Sequence, residues 1–307
     1  MLEDKKILIT GLTGKLGGTM ADALVRDNEL WGYARYSQPG QLEYWQNAGV
    51  KTVVGDFARN ELTGLPDDFD YVIHVAANTR PTSVEQGMQD NSDGVGILMN
   101  HCRKARAFLH VSTIGVAAQK TDMGLFREED DVGNASLPYY TGTKLAGEGV
   151  ARAFCRVLDL PTIICRMCVQ YGTYQEGGLP GQILKMLLAG KTIPLRRGWD
   201  QRSALISNDD VVRFIEPTLA AASVPATTIN WGGDVNVPQE EVITYLAELA
   251  GIEPKWEYVD EGGWPSFPID PTRRIAVTGP CQVEWKDGLK QMYDALHERL
   301  RASSAQG

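Results

Sequence analysis

A short apolar run followed by evenly spaced glycines constrains the fold of this 307-residue chain more than any other feature. Residues 5–10 predict a strand that is buried on both faces, because Ile7, Leu8 and Ile9 are consecutive and apolar. The segment Thr10-Gly11-Leu12-Thr13-Gly14-Lys15-Leu16-Gly17 follows directly. Its first glycine permits a tight turn, its second lets backbone approach a pyrophosphate, and its third allows close helix–strand packing. The segment predicts a dinucleotide-binding turn, with an ordinary glycine-rich strand–helix connection as the alternative.

The predicted phosphate contacts lie in this turn and at the start of the helix after it. A helix over about residues 14–25 would direct its unpaired N–H groups and the positive end of its dipole at phosphates. The residues of this region that we predict to bind the cofactor are Gly11, Thr13, Gly14, Lys15, Leu16 and Gly17.

Strand and helix patterns alternate through the first half of the chain. The further predicted strands cover residues 30–36, 51–54, 70–75, 107–112 and 161–166, and the further predicted helices cover 41–47, 84–104 and 140–158. Such alternation is typical of βαβ units. The predicted fold class is therefore α/β, a Rossmann-type doubly wound parallel sheet with a smaller C-terminal substrate-binding lobe.

The pattern changes near Gly172, after which glycine, proline, tryptophan and charged residues become frequent and the predicted helices are short. We predict a dinucleotide-binding domain over residues 1–172 and a mainly substrate-binding lobe over residues 173–307, parts of which return to the sheet. Some tryptophans of the lobe are candidates for lining a pocket, although core packing accounts better for each one singly. They are Trp199, Trp231, Trp256 and Trp264.

Charge and composition argue against several classes of function. The formal net charge is -9 and no basic stripe is present, so a general nucleic-acid or anionic-membrane binder is not expected. No apolar run approaches the ~20 residues that span a bilayer, and the first strand begins too early for a signal peptide before it. We expect a cytoplasmic protein.

The pair Cys165-x-x-Cys168 ends a predicted buried strand, so we expect packed thiols there, not a metal site.

Tyr140 and Lys144 are one helical turn apart in the helix predicted after a long polar segment. A hydride moved between a carbonyl carbon and a nicotinamide needs a matching proton at the oxygen, and a tyrosine with a pKa of about 10 is a poor base at neutral pH. A neighbouring ammonium would lower that pKa and hydrogen-bond the nicotinamide ribose. A hydroxyl at the preceding strand end, from Ser112 or Thr113, would hold the substrate oxygen. The alternative for an isolated pair is a surface aromatic and a solvated lysine.

The ordered motifs resemble those of the extended short-chain dehydrogenases/reductases, in the NAD-dependent epimerase/dehydratase group, along the whole chain. The matching segments include Thr10–Gly17, Gly55-Asp56-Phe57, Val72-Ile73-His74-Val75-Ala76-Ala77, Asn91-x-x-Gly94, Tyr140-Thr141-Gly142-Thr143-Lys144-Leu145-x-x-Glu148 and Arg166 with Val169 and Gly172. In the second half, Arg202 with Ile206 and Asp210-Val211 resembles a motif that lines the substrate cleft.

The resemblance implies further contacts to the cofactor, from Asp56, Phe57, Ala76, Ala77, Asn91, Tyr140 and Lys144. It also implies a homodimer formed through the helices near residues 84–104 and 140–158. Alignment on the family's hydroxyl segment places the catalytic hydroxyl on Thr113, beside Tyr140 and Lys144.

Two departures from the family pattern bear on the substrate. Val116 is followed by Ala117-Ala118 where Tyr-Gly is usual, and that loop helps to shape the sugar pocket in the relatives. Nucleotide sugars are therefore less expected as substrates. Ile114-Gly115 replaces the Asp-Glu pair of the related sugar 4,6-dehydratases, so a dehydratase of that type is not expected.

The second predicted strand bears on the choice of cofactor. NAD-selective enzymes place an acidic residue about 20 residues past the glycine turn, whereas here the end of the strand predicted over residues 30–36 offers Arg35 and no acid. Arginine pairs well with a 2′-phosphate, and Lys15 adds a second cation. We predict a preference for NADP(H), with NAD(H) as the alternative if both cations are simply solvated.

Three functions remain for comparison with the structure. The leading one is an NADP(H)-dependent oxidoreductase that interconverts a ketone or aldehyde and an alcohol on a small, moderately apolar substrate. The second is a sugar or nucleotide-sugar epimerase that retains its cofactor, in which Arg202 would meet a substrate phosphate. The third is a non-catalytic dinucleotide-sensing protein, which is disfavoured because such relatives commonly lose the tyrosine and the lysine.

Overall fold

The structure is a computed structural model that describes residues 2–120, 124–133, 138–175, 177–198, 201–263 and 266–304. The chain divides into two compact units, and each unit is assembled from segments that are separate in the sequence. The first unit contains residues 1–118, 128–167 and 212–229, and the second contains residues 119–127, 168–211 and 230–307. The sequence pattern, by comparison, predicts a single boundary near Gly172.

The strands and helices are numbered in chain order. The strands are β1 (Lys6–Thr10), β2 (Glu29–Ala34), β3 (Lys51–Val54), β4 (Tyr71–His74), β5 (Ala107–Thr113), β6 (Thr162–Met167), β7 (Val169–Tyr171), β8 (Ile193–Arg196), β9 (Arg202–Ser207), β10 (Thr227–Trp231), β11 (Asn236–Pro238) and β12 (Trp256–Val259). The helices are α1 (Lys15–Leu24), α2 (Gln41–Asn47), α3 (Val84–Met88), α4 (Gly94–His101), α5 (Thr143–Leu158), α6 (Gly178–Leu188), α7 (Asn208–Ala220), α8 (Gln239–Ala250), α9 (Thr272–Thr278) and α10 (Trp285–Ser304).

A seven-stranded sheet forms the centre of the first unit, in the order β10-β6-β5-β4-β1-β2-β3. The strands from β3 to β6 run parallel, and β1 pairs with both β2 and β4. This order places the topological switch point between β1 and β4, where ligands bind in such sheets. The predicted α/β class with a doubly wound parallel sheet is confirmed, and β10 joins the sheet from the last third of the chain.

Consecutive apolar residues form the inner strands because both faces of a parallel sheet are covered. Ile7, Leu8 and Ile9 of β1 are fully buried, as the sequence predicts. On one face, the main core cluster joins Phe108 and Ile164 of the sheet to side chains of α4 and α5. This cluster lies under the helix that carries Tyr140 and Lys144, and it fixes the position of that helix on the sheet.

Two predicted helices each contain a wide turn that the sequence pattern does not reveal. The helix predicted over residues 84–104 consists of α3, a π-helical turn at Gln89–Asp93 and α4. The helix predicted over 140–158 begins with a π-helical turn at Pro138–Gly142 and continues as α5. A π-helical turn inserts a residue without altering the average hydrophobic period much, and such turns occur often at functional sites.

The second unit contains a three-stranded sheet in the order β11-β9-β7 and a parallel pair of β12 with β8. Its core packs α6, α8 and α10 together. Trp231 is fully buried and Trp256 is half-buried, whereas Trp199 and Trp264 lie outside the described residues. The strands described in this unit have three to six residues, and the sequence pattern did not predict them. Within the described residues, no helix combines the length and apolarity needed to cross a membrane.

Candidate active site

The turn after β1 has little room for side chains. Gly11 adopts a φ of +72°, and a Cβ atom there would lie 2.7 Å from the backbone of Ala76. A Cβ atom at Gly17 would lie 2.4 Å from the Gly11 carbonyl oxygen, so the start of α1 packs directly on the turn. The tight turn and the close packing predicted for these two glycines are present. Gly14 is exposed, and its N–H donates to the Gly11 carbonyl oxygen at 2.9 Å.

The turn is joined to the end of β4 by the side chain of Thr10. The Thr10 hydroxyl accepts a hydrogen bond from the Ala76 N–H at 3.3 Å and lies 2.7 Å from His74 Nδ1. His74 stacks on His110 of β5, with ring centroids 5.3 Å apart. Burial lowers the pKa of His74 to about 3, and Lys144 acts in the same direction, so His74 is neutral. These buried polar residues therefore connect the turn after β1 to β4 and β5, at the end of the sheet where we predict the cofactor to bind.

The predicted cofactor residues fall into two groups by exposure. Gly11, Thr13, Lys15, Asp56 and Ala76 are half-buried, and Gly14, Arg35 and Ala77 are exposed. Leu16, Gly17, Phe57 and Asn91 are buried. Because the residues of the second group are packed inside the protein, we expect them to hold the residues around the cofactor in place and not to contact the cofactor themselves.

Phe57 is held in place by contacts with two aromatic rings and a glycine. Its ring lies 5.3 Å from the His74 ring and 6.0 Å from the Tyr33 ring. A Cβ atom at Gly94 would lie 2.2 Å from the Phe57 ring, so the glycine of the Asn91-x-x-Gly94 motif makes room for it. The neighbouring Asp56 carboxylate accepts a hydrogen bond from the Ala58 N–H at 3.1 Å and caps a short 3₁₀ turn.

Arg35 follows β2 and is exposed. The next residue, Tyr36, has a φ of +46° and folds back, so that its hydroxyl donates to the Gly32 carbonyl oxygen at 2.9 Å. A Cβ atom at Gly32 would lie 2.4 Å from Leu12 and 2.9 Å from the Tyr36 hydroxyl. A side chain at position 32 would therefore displace the ends of the Leu12 and Tyr36 side chains.

Tyr140 and Lys144 both contact the carboxyl end of β5. The Thr113 side chain lies close enough to the Tyr140 hydroxyl to lower its pKa. The Lys144 Nζ donates to the Val111 carbonyl oxygen at 2.8 Å. Of the two hydroxyls proposed from the sequence, Thr113 is therefore the one in contact with Tyr140. The Ser112 hydroxyl is buried and has no hydrogen-bond partner within the part of the chain that the structure describes.

The pKa shifts of Tyr140 and Lys144 differ from those expected from the sequence. Burial raises the pKa of Tyr140, and the hydrogen bond from Thr113 only partly opposes this. Burial lowers the pKa of Lys144 to about 8, and the carboxylate of Glu148 opposes that change. We expected the ammonium to lower the pKa of the tyrosine. Here desolvation of the phenol dominates, and the ammonium is bonded to a backbone carbonyl.

Asn91 is 1% exposed and joins two parts of the site. Its side-chain amide exchanges hydrogen bonds with the backbone of Asn78, with the N–H of Asn78 as donor at 2.8 Å and its carbonyl as acceptor at 3.0 Å. The same amide donates to the Thr143 hydroxyl at 3.0 Å, and that hydroxyl donates to the Tyr139 carbonyl oxygen at 2.7 Å. Asn91 thus links the segment after β4 to the turn that carries Tyr140.

A buried ion pair lies one helical turn beyond Lys144. Glu148 and Arg166 form two hydrogen bonds, at 3.0 and 2.9 Å, and both side chains are almost fully buried. All four polar residues that connect the site, Thr10, Thr143, Glu148 and Arg166, lie in sequence motifs, but the motifs predicted no role for them. The two partners are 18 residues apart and lie on different elements, so no local spacing in the sequence indicates this ion pair.

Comparison with known proteins gives a family match and distant relatives. The model of the family described as "NAD dependent epimerase/dehydratase family" matches residues 7–232. The chain is 26% identical to an Arabidopsis thaliana trifunctional UDP-glucose 4,6-dehydratase/UDP-4-keto-6-deoxy-D-glucose 3,5-epimerase/UDP-4-keto-L-rhamnose-reductase, over 94% of this chain and 46% of that protein. It therefore spans about half the length of that relative. It is 27% identical to the UDP-glucose 4-epimerase of Mycolicibacterium smegmatis, over 96% of this chain and 99% of that protein.

A similar solved structure is the UDP-glucuronic acid 4-epimerase from Bacillus cereus in complex with UDP-glucuronic acid and NAD. Its TM-score is 0.81 at 23% identity, with 96% of this chain and 99% of that chain covered. At this identity the likeness shows that the fold is shared.

Proposed function

Because the chain belongs to the NAD dependent epimerase/dehydratase family, we propose that it is an epimerase that oxidises and re-reduces one carbon of a nucleotide sugar. The proposal takes its substrate class from the relatives that are named as acting on UDP-sugars. It takes its chemistry from one arrangement, in which the Thr113 side chain lies near the Tyr140 hydroxyl and the buried Lys144 binds the same strand end.

In this proposal each of the three residues has one role. Thr113 holds the substrate oxygen, Tyr140 exchanges a proton with that oxygen, and Lys144 provides a positive charge that stabilises the phenolate. Since burial raises the pKa of Tyr140, the phenol is protonated at neutral pH and suited to donate its proton to a carbonyl oxygen. Removal of a substrate proton by the same group depends on the help of the neighbouring ammonium.

The first unit fits a nicotinamide dinucleotide at the turn after β1. The exposed backbone of Gly14, the absence of room for a side chain at Gly11 and Gly17, and the start of α1 make a cradle suited to a pyrophosphate. Such a cofactor supplies or accepts the hydride. Gly11, Thr13, Gly14, Lys15, Arg35, Asp56, Ala76 and Ala77 are the residues that we propose to contact it, with Leu16, Gly17, Phe57 and Asn91 as their supports.

Residues 114 and 115 separate the epimerase proposal from dehydratase chemistry. Ile114 and Gly115 form part of a 3₁₀ turn after β5, and both are buried. Neither residue can transfer a proton, which a dehydratase requires of an acid and a base. The proposed reaction therefore ends with return of the hydride, without loss of water.

The experiment that tests this proposal identifies the nucleotide that the protein retains. The purified protein is denatured, released nucleotides are analysed by mass spectrometry, and UDP-glucose, UDP-glucuronic acid and UDP-N-acetylglucosamine are assayed for conversion to their 4-epimers. We expect retained NAD and turnover of a UDP-sugar. Tyr140→Phe should lower turnover by about a hundredfold or more while cofactor binding changes less than about twofold. Turnover that survives this substitution would overturn the assignment of Tyr140.

A second candidate is an NADP(H)-dependent reductase of small carbonyl compounds. It is supported by the exposed Arg35 after β2, by the lack of an acidic residue there, and by Ala117-Ala118 in place of the usual Tyr-Gly. The discriminating measurement is the ratio of NADPH to NADH affinity in wild type and Arg35→Ala. A strong NADPH preference that Arg35→Ala removes, together with no retained nucleotide, supports the reductase. Retained NAD and an unchanged ratio support the epimerase.

A further inference from the structure

The Arg166 guanidinium contacts two points of the chain that bracket the candidate active site. Its Nε and Nη2 donate to the two carboxylate oxygens of Glu148, at 3.0 and 2.9 Å. Its Nη1 donates to the backbone carbonyl oxygen of Glu128 at 3.2 Å. Tyr140 and Lys144 lie between these two contact points in the sequence. One side chain on β6 therefore holds both ends of the segment that carries the proposed acid–base group.

Only arginine can make this set of contacts. Its planar fork satisfies a carboxylate with two parallel hydrogen bonds and leaves further N–H groups for another acceptor. A lysine at the same position would keep the charge but would present a single nitrogen on a flexible stem. The arrangement at position 166 therefore depends on shape as well as on charge.

The contact to Glu128 holds the chain as it returns toward α5. Residues 119–127 belong to the second unit, and the chain re-enters the first unit at residue 128. Beyond that point, the Asp131 carbonyl accepts from the Ala118 N–H at 2.8 Å, and the Gly133 N–H donates to the Val116 carbonyl at 2.8 Å. Residues 131–133 are thus attached to the segment that follows Thr113, and Arg166 binds the chain just before them, at Glu128.

The contact to Glu148 holds the other end, within α5. Glu148 is 1% exposed and lies one helical turn after Lys144. Its negative carboxylate attracts the positive charge of that lysine. A buried carboxylate needs a partner of opposite charge, so α5 is held in the position at which Glu148 meets Arg166. A shift of this contact would move Lys144 relative to the Val111 carbonyl oxygen that it binds.

We propose that Arg166 is a positioning residue, whose guanidinium holds the chain at Glu128 and at Glu148 so that Tyr140 and Lys144 stay in register with the end of β5. The role in catalysis rests on the proposed function, whereas the role in holding the segment does not. The alternative is an ordinary buried ion pair that stabilises the first unit without a particular effect on this segment.

Arg152 provides a matched control within the same cluster. Its guanidinium lies 3.5 Å from the Glu148 carboxylate and donates to the Thr228 hydroxyl at 2.8 Å. It has no contact with Glu128 within the described residues, and 43% of its side chain is exposed. Arg152→Gln therefore removes a positive charge near the same carboxylate while both anchors of residues 128–148 remain.

The experiment compares wild type, Arg166→Lys and Arg152→Gln by amide hydrogen exchange and by steady-state kinetics. For Arg166→Lys we expect exchange about tenfold faster in peptides covering residues 128–148, kcat lower by about tenfold or more, and KM within about threefold of wild type. For Arg152→Gln we expect wild-type exchange in these peptides and wild-type kcat. If Arg166→Lys does not fold, the neutral double variant Glu148→Gln/Arg166→Gln takes its place, since it leaves no charge unpaired and cannot reach Glu128.

Each outcome decides the inference. Exchange that accelerates evenly over the whole first unit, or a kcat that falls equally in Arg152→Gln, would show an ordinary stabilising ion pair and overturn it. If the wild type converts no nucleotide sugar, the proposed function fails while the exchange pattern still decides whether Arg166 holds the segment. If the wild type is active and Arg166→Lys retains full kcat, the inference fails alone.

Discussion

At the scale of single residues, Lys144 combines its proposed role with a cost in stability. Its side chain is 1% exposed, and burial lowers its pKa to about 8 against the ordinary 10.5. Below pH 8 the group is charged in both the folded and the unfolded chain, so the full cost of burying the charge is present. Between pH 8 and about 10.5 the folded state loses the proton first, and the cost disappears as the pH rises.

We therefore predict that wild type gains stability relative to Lys144→Met as the pH rises from 7.5 to 10. The expected gain is about 2–3 kcal/mol in the free energy of unfolding, measured by urea denaturation at several pH values. Lys104→Met is the control, because the Lys104 side chain is 59% exposed. The free energy of unfolding of Lys104→Met should change with pH in the same way as that of wild type. Parallel curves for Lys144→Met as well would show that Lys144 titrates normally in the folded protein.

The neighbouring hydroxyls of Ser112 and Thr113 should contribute unequally to catalysis. Thr113→Val keeps the shape of the side chain but removes the hydroxyl that contacts Tyr140, so we expect kcat to fall by about tenfold or more. Ser112→Ala removes a buried hydroxyl that has no partner among the described residues, and kcat should stay within about twofold. Steady-state kinetics of the two variants check this. The reverse order of effects would assign the role to Ser112.

At the scale of elements, α5 is fitted to its neighbours by glycine. A Cβ atom at Gly147 would lie 2.3 Å from the backbone carbonyl oxygen of Asn91. Gly149, two residues later in the same helix, is exposed and has nothing within 4 Å of its Cβ position. The helix therefore carries one glycine that packing requires and one that packing does not require.

The two glycines should respond to alanine in opposite directions. Gly149→Ala should raise the free energy of unfolding by about 0.5–1 kcal/mol, because alanine loses less backbone entropy in a helix. Gly147→Ala should lower it by about 1–3 kcal/mol, because the methyl group must displace the Asn91 backbone. Urea denaturation of both variants tests the pair. A stabilising Gly147→Ala would mean that the π-helical turn at Gln89–Asp93 yields easily.

The existence of the main elements was predictable from the sequence, but their inner geometry was not. Strands β1 to β6 and helices α2 and α5 follow from apolar runs and helical spacing. The π-helical turns do not, because one inserted residue barely alters a hydrophobic period. The short strands of the second unit were not predicted either, and most of them lack a run of three consecutive apolar residues such as that of β1.

At the scale of the whole molecule, we propose a homodimer formed through the helices near residues 84–104 and 140–158. Val157 of α5 is 77% exposed, the largest exposed fraction among the large apolar side chains described. Such a side chain is suited to an interface. We expect Val157→Glu to convert a dimer to a monomer in sedimentation velocity measurements.

Val235→Glu is the matched control for this prediction, because Val235 is 61% exposed but belongs to the second unit. That variant should sediment as wild type does. A wild type that sediments as a monomer at micromolar concentration would contradict the proposed dimer, and a dimer that both variants retain would place its interface elsewhere.

The fold class and the order of the motifs were predictable from the sequence, because strand burial, glycine spacing and helical periodicity are local properties of the chain. The sequence also identified Tyr140, Lys144 and the pair of candidate hydroxyls. The tertiary structure added that burial, more than the ammonium, governs the pKa of Tyr140 and that Arg166 contacts both Glu128 and Glu148. These outcomes depend on distances between residues remote in sequence and on desolvation by the surrounding core, and no local pattern records either of them.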